Sequence, residues 1–238
     1  MKLCAKKALW SCGWRKANKR LNKKKALITS RLKRDLFVDT TPACSLLSCW
    51  HKTVFMRKVK LFIACSADGY IATPDGGLDF LSTVEQPGED YGYAAHYASI
   101  DTVVLGRKTY EKVLSFGMPF PHSCTTYIIT SKPQPPQGNI HFYHQGPVAL
   151  IRELLQQPGK DIFVDGGAEV IHALLQEQLI HEMTISVIPV LLGSGIRLFK
   201  EGYSQQVLTL MESKSYPSGL VQMTYSVNSP KAAVHTSK

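Results

Sequence analysis

Acidic residues are nearly missing from the start of this chain. Residues 1–55 contain only Asp35 and Asp39 against 14 lysines and arginines, a net charge of +12. The remaining residues carry 14 Lys and Arg against 16 Asp and Glu, a charge of −2, so the formal +10 averages two unlike segments. Tryptophan is absent after Trp50, the other two being Trp10 and Trp14. Such a shift marks a boundary near Met56. No stretch approaches the ~20 apolar residues of a transmembrane helix, and no uninterrupted apolar segment follows the first lysines as a secretory signal would require. The six cysteines (Cys4, Cys12, Cys44, Cys49, Cys65, Cys124) form no C-x-x-C. Cys65 and Cys124 fall in strand-like runs and read as buried thiols in a reducing compartment. The histidines show no H-x-x-x-H spacing, so no metal is proposed. Neither the Rossmann G-x-G-x-x-G nor the Walker G-x-x-x-x-G-K-[ST] occurs; Gly193-Ser194-Gly195 comes nearest, with Leu198 in the third glycine place.

The basic first 55 residues admit three readings: a nucleic-acid-binding arm centred on Lys16 to Lys25, a transit peptide, or a dispensable extension upstream of a fold starting at Met56. The last is preferred, because Met56 directly precedes the first good strand. Residues 1–55 are therefore expected to be disordered or outside the fold, 56–228 to form one domain, and 229–238 to be a loose tail.

Within the folded part, two glycine turns stand out. Gly106-Arg107-Lys108-Thr109 follows the apolar Thr102–Leu105, and Gly166-Gly167-Ala168-Glu169-Val170 follows Asp161–Asp165. A glycine lets backbone N–H groups approach a ligand, and a helix start favours anions. Arg107 and Lys108 add donors suited to phosphate. Any α/β protein needs some glycine turns, but two in this context suit the two ends of a dinucleotide.

Periodicity predicts strands at Val59–Cys65, Thr102–Leu105, Cys124–Thr130, Ile140–Tyr143, Ile162–Asp165 and Met183–Leu192, the last interrupted by Pro189. Helices are predicted at Glu89–Ser99, Lys108–Leu114, Pro147–Leu155 and Ala168–Gln176. Asp68-Gly69 and Asp75-Gly76-Gly77 flank the short Tyr70-Ile71-Ala72. Gln206–Ser213 and Leu220–Val227 close the chain as an antiparallel pair. The alternation indicates an α/β fold: a mostly parallel twisted sheet with an antiparallel C-terminal edge and helices on both faces.

These stretches, in this order, resemble the dihydrofolate reductase-like superfamily, closest to the branch containing the reductase domain of bacterial riboflavin biosynthesis. The resemblance rests on Ser66–Ala72, Leu105-Gly106-Arg107-Lys108-Thr109-Tyr110, Val164-Asp165-Gly166-Gly167 and Pro189–Gly195, and spans about Met56 to Val227. It implies an NADPH-dependent reductase. Gly106, Arg107, Lys108 and Thr109, with Gly166, Gly167, Ala168, Glu169 and Val170, would hold the cofactor phosphates. Thr130, Ser131 and Lys132 would meet the 2′-phosphate, and Ala64, Ile71 and Ala72 would lie by the nicotinamide. A homodimeric, cytoplasmic enzyme with a small-molecule substrate, without membrane or nucleic-acid partner, is the accompanying expectation.

Two departures bear on the substrate. Folate reductases carry an Arg, for the folate carboxylate, where ungapped reading puts Cys124, and a Trp after the first strand that this chain lacks. The zinc deaminase signature, H-x-E with P-C-x-x-C, is absent too. The expected substrate is thus a small heterocycle or ribosylamino-pyrimidine phosphate, as for 5-amino-6-(5-phosphoribosylamino)uracil reductase. The alternatives are a nucleotide-binding protein of this fold without turnover, with a basic nucleic-acid-binding arm, and a dihydrofolate reductase. Hydride transfer needs a proton source, and Asp90 and Asp68 are the two candidates. Either could instead be plain punctuation: Asp90 a helix-start acid, Asp68 a turn residue.

Overall fold

The computed structural model describes residues 57–117 and 119–228. The expectations for residues 1–55 and 229–238 lie outside the described residues.

The described residues form ten strands: β1 (Val59–Ser66), β2 (Tyr70–Ala72), β3 (Ile100–Gly106), β4 (Thr125–Ile129), β5 (Ile140–Tyr143), β6 (Asp161–Gly166), β7 (Glu182–Ile188), β8 (Ile196–Arg197), β9 (Val207–Ser215) and β10 (Val221–Asn228). The helices are α1 (Tyr93–Ser99), α2 (Arg107–Leu114), α3 (Pro147–Leu155) and α4 (Ala168–Gln176), and a 3-10 helix covers Asp79–Val84. Eight strands make one sheet in the order β5-β4-β3-β6-β1-β7-β10-β9. The strands from β5 to β7 are mutually parallel, and β10 runs antiparallel to both β7 and β9. β2 and β8 form a separate two-stranded pair.

The central strands read as continuous apolar runs because both of their faces are covered. Side chains alternate between two cores. Val104, Ile162 and Val164 pack with Leu150, Ile151 and Leu154 of α3 and Ile171 and Leu174 of α4. Val103, Leu105 and Phe163 point the other way, against Tyr93 and Tyr97 of α1 and Tyr110 of α2. The helices therefore lie on both faces, as the strand–helix alternation requires. A third cluster joins Phe80 and Val84 to Tyr91, Ile188 and Leu220.

Two predicted elements lose four residues at one end, and β4 loses one residue at each end of the predicted Cys124–Thr130. β7 stops at Ile188 because Pro189 has no N–H for the ladder. α1 begins at Tyr93 rather than Glu89. The four residues before it form a capping loop: Tyr91 has φ +52 and Gly92 φ +80, and the Asp90 carboxylate accepts hydrogen bonds from the N–H groups of Gly92 (2.9 Å) and Ala94 (3.3 Å).

Candidate functional site

All the parallel strands end on one side of the molecule, where ligands bind in open α/β sheets. The crevice forms as neighbouring strands part. β1 pairs with β6 only through Val59, Lys60 and Leu61, yet with β7 as far as Ser66. Beyond Leu61 and Val164 the two strands diverge, leaving Ala64 on the free margin of β1.

Both glycine turns stand beside this opening, and they touch. A Cβ placed on Gly106 would meet Val170 Cγ2 at 3.3 Å and the Gly167 nitrogen at 3.8 Å; one on Gly167 would meet Thr109 Oγ1 at 3.0 Å. Gly166 has φ +100, a backbone that side-chain-bearing residues rarely adopt, and the Gly166–Gly167 peptide is cis. Neither α2 nor α4 has a side-chain cap on its first turn. Two uncapped helix starts thus lie side by side. Thr109 and Val170 serve this arrangement by packing the turns together, while Ala168 is buried at the start of α4.

The charged side chains at the two turns are paired within the chain. Arg107 pairs with Glu111 one turn along α2, at 2.6 Å. Glu169 makes no cap; its carboxylate receives Lys200 Nζ at 2.6 Å, and this bond together with nearby Lys108 keeps it below its ordinary range. Lys200 is the cation that sequence reading missed. It follows a strap that crosses from the Asp-Gly loop: β8 pairs with β2, Leu198 N donates to Gly69 O at 2.9 Å, and Leu198 itself is buried. A Cβ on Gly195 would overlap the Ala72 carbonyl oxygen, so this close passage needs glycine. The strap links the loop of Ile71 and Ala72 to the Gly166-Gly167 turn.

Asp68 is a latch. Its carboxylate accepts hydrogen bonds from Ser66 Oγ (2.5 Å), Leu192 N (3.1 Å) and Gly193 N (2.7 Å). Chiefly the Ser66 bond, with the two backbone bonds behind it, pulls its pKa from 3.8 to about 2. Burial, with a smaller effect of Asp68, pushes the Cys65 thiol up to about 11, leaving it inert. Asp90 sits two residues from Gly92, and the Tyr91 carbonyl accepts from Gln222 Nε2 at 3.0 Å. Gln222 also donates to Ser186 Oγ at 2.9 Å, and Ser186 is the register partner of Ala64. Tyr91, the residue after Asp90, is thereby tied through Gln222 to the strand beside Ala64. At the end of β4, Thr130 Oγ1 accepts from Lys132 N at 3.1 Å, shaping the turn through Ser131.

A second polar group was not assigned a role from sequence. Asp165 is the extra residue of a bulge in β6, since Val104 pairs with Val164 but Leu105 with Gly166. Its carboxylate meets buried His122 Nε2 at 3.1 Å. His122 stacks on Tyr97, and Tyr97 on Tyr93, both at ring spacings of 5.9 Å. Tyr97 Oη accepts from Ser123 N at 2.9 Å and lies 3.4 Å from Cys124 Sγ. Cys124 thus belongs to an aromatic wall.

The sheet order, the antiparallel edge and the paired turns define a dihydrofolate reductase-like α/β fold. The chain belongs to the RibD C-terminal domain family, which matches residues 57–222. It is 41% identical over 171 residues to the uncharacterized protein YwjB of Bacillus subtilis (strain 168), covering 71% of this chain and 97% of YwjB. A solved structure from Shewanella sp. PV-4, named for riboflavin biosynthesis, is 33% identical with a TM-score of 0.67, covering 72% of this chain and 99% of that one. Dihydrofolate reductase from Enterococcus faecalis, solved with NADP(H), shares the fold at 19% identity and a TM-score of 0.55, covering 74% of this chain and 99% of that one. The architecture is thus that of a riboflavin-pathway reductase. Among the described residues, no helix is long and apolar enough to cross a membrane.

Proposed function

We propose that this chain is an NADPH-dependent reductase of a small heterocycle or ribosylamino-pyrimidine phosphate. The observation that carries the reading is the contact between two uncapped, glycine-opened helix starts at the mouth of the β1–β6 crevice. That cradle suits a diphosphate, with Arg107 and Lys108 on the first turn of α2 and Lys200 held at Glu169 as candidate cations. Thr130, Ser131 and Lys132 would face the 2′-phosphate, and Ala64, Ile71 and Ala72 the nicotinamide. When bound, the cofactor supplies the hydride. The chain must supply the proton. Asp68, held near pKa 2 by three donors, stays a carboxylate at neutral pH and serves better as the loop latch. Asp90 is the remaining candidate, acting directly or through water. Cys124 in the aromatic wall gives a folate carboxylate no cation, which favours a substrate other than dihydrofolate.

The test is a substrate screen that follows NADPH absorbance, with NADH and dihydrofolate as controls. NADPH is expected to be preferred to NADH, and Ala at Arg107 and Lys108 to weaken NADPH more than NADH. Asp90→Asn is expected to lower turnover by about 10²–10⁴-fold with NADPH binding intact. Efficient dihydrofolate reduction would overturn the substrate class. Cofactor binding without turnover on any substrate, with salt-sensitive nucleic-acid binding, would favour the non-enzymatic alternative.

A further inference from the structure

We propose that the substrate of this site is a flat, amino-substituted heterocycle that carries no phosphate or carboxylate. The proposal rests on the reductase reading and narrows its substrate. The face of the crevice toward α1 carries Phe62 of β1, Phe163 and Asp165 of β6, and Tyr93 and Tyr97 of α1. The Phe62 and Tyr93 rings meet edge-on at 6.0 Å. His122 meets the Phe163 ring at 6.1 Å and takes Asp165 Oδ2 at 3.1 Å. Oδ1 has no hydrogen bond among the described residues, on a side chain 11% exposed, so one acceptor stays open. Burial first, and the Asp165 charge second, push the Tyr93 hydroxyl well above its ordinary range, so the carboxylate acts on this ring. An open carboxylate oxygen beside aromatic rings suits a flat ring whose amino or ring N–H groups donate to it.

Charge argues against an anionic substituent. Among the described residues the lysines and arginines are placed elsewhere. Arg57, Lys58, Lys60 and Lys160 lie at the opposite ends of the strands, on Asp101, Glu182, Asp161 and the Ala98 carbonyl. Arg152 pairs with Glu177 and Lys200 with Glu169, while Arg197 lies over Tyr70 and Lys214 over Tyr216. Arg107 and Lys108 open α2 and Lys132 follows β4, where the cofactor phosphates are proposed to bind; Lys112, in the last turn of α2, acts on Asp75. The fixed charges on the α1 side are carboxylates: Asp165, and Asp90, whose carbonyl accepts from Tyr93 N at 2.9 Å. A phosphate or a glutamate tail would face these with no cation to pair it, at the cost of an unpaired, partly desolvated charge. Reduction of a ring C=N bond in a neutral heterocycle balances with one hydride from NADPH to carbon and one proton to nitrogen, giving NADP⁺ and the amine.

The experiment uses the full chain and two matched pairs of probes. One is 6-hydroxymethyl-7,8-dihydropterin and its phosphate ester; the other is 5-amino-6-ribosylaminouracil and its phosphate. NADPH binding is titrated first. The neutral probes are then titrated onto the NADP⁺-loaded and the unloaded protein, and each anionic probe is measured by its displacement of the neutral one. A neutral probe is expected to bind, and its phosphate to bind at least about tenfold more weakly. Raising the ionic strength screens the repulsion and is expected to narrow that gap. Asp165→Asn is expected to weaken the neutral probe about three- to tenfold and its phosphate less, whereas a merely structural role would weaken both alike. Circular dichroism checks the variant. A phosphate probe that binds as well as its neutral partner overturns the proposal, as does binding of neither neutral probe. A gap unmoved by both salt and Asp165→Asn would assign the preference to shape, and overturns it equally. Neutral-probe binding with no NADPH binding would instead refute the reductase reading while supporting the selectivity of the compartment.

Discussion

Arg57 shows what a single residue contributes to this fold. It is the first described residue and only 5% exposed. Its guanidinium donates to the Lys160 carbonyl at 2.6 Å, to Thr102 Oγ1 at 2.7 Å and to the Asp101 carboxylate, joining the approach to β1 with β3 and the turn before β6. In the sequence it passes as one more cation beside a basic segment; its burial depends on partners 44 to 103 positions away, which no local pattern reveals. Arg57→Met keeps much of the volume and removes the donors. It is expected to lower stability by about 2–3 kcal/mol, since buried acceptors lose a charged partner while the half-exposed Asp101 can turn to water. Urea unfolding checks this; an unchanged midpoint would mean that the network is ornamental. Asp165 and His122 were hidden for the same reason. A bulge aims the carboxylate, and a loop 43 residues earlier supplies the imidazole.

At the scale of elements, the strap that carries Lys200 argues for coupling between the two halves of the crevice. With Lys200 removed, Glu169 would leave an unscreened carboxylate on the first turn of α4, where the cofactor phosphates are proposed to bind. Lys200→Ala is expected to raise the Kd for NADPH about three- to tenfold, and adding Glu169→Gln to recover most of the loss. Calorimetric titration decides it; a double variant as weak as the single one would assign Lys200 to packing alone. The larger elements were legible because their period or punctuation is strong: α3 and α4 have the predicted bounds, and the parallel strands other than β7, which Pro189 ends four residues early, differ by at most two residues at an end. The short ones were not. β8 has two residues, and the 3-10 helix at Asp79–Val84 is fixed by Phe80 and Val84 entering a cluster with Tyr91, Ile188 and Leu220. The start of α1 was misplaced because Glu89 and Asp90 look like first-turn acids, whereas their carboxylates cap the loop before the helix. Both glycine turns were readable as a pair, but their contact is a product of β3 and β6 lying side by side, which only the topology supplies.

For the whole molecule, two half-buried histidines tilt stability with pH. His96, between Phe62 and Phe163, is pushed down from 6.5 to about 4, mainly by burial and then by Lys60. His181 is lowered for similar reasons, burial first and Lys58 second. The unfolded chain takes up a proton near 6.5 and the folded His96 only near 4, so stability is expected to fall as pH drops through that window and to be flat above it. His96→Phe should flatten the slope, which thermal melts at stepped pH would show. The charge division of the chain carries the last expectation. Residues 1–55 hold +12 and the rest −2, and the family match begins at residue 57, where buried Arg57 closes the network beneath β1. We propose that a protein starting at Met56 contains the whole folding unit. Its melting temperature is expected to equal that of the full chain within about 2 °C, roughly 0.5–1 kcal/mol for a domain of this size. Any nucleic-acid binding by the full chain should vanish with the removed segment and should already weaken steeply with salt before removal, because it would rest on phosphate neutralisation by Lys16 to Lys25. A drop of ten degrees on truncation would place part of the folding unit upstream of Met56 and refute the boundary. Salt-sensitive binding that survives truncation would instead locate the nucleic-acid contact on the net-acidic domain, against the charge argument.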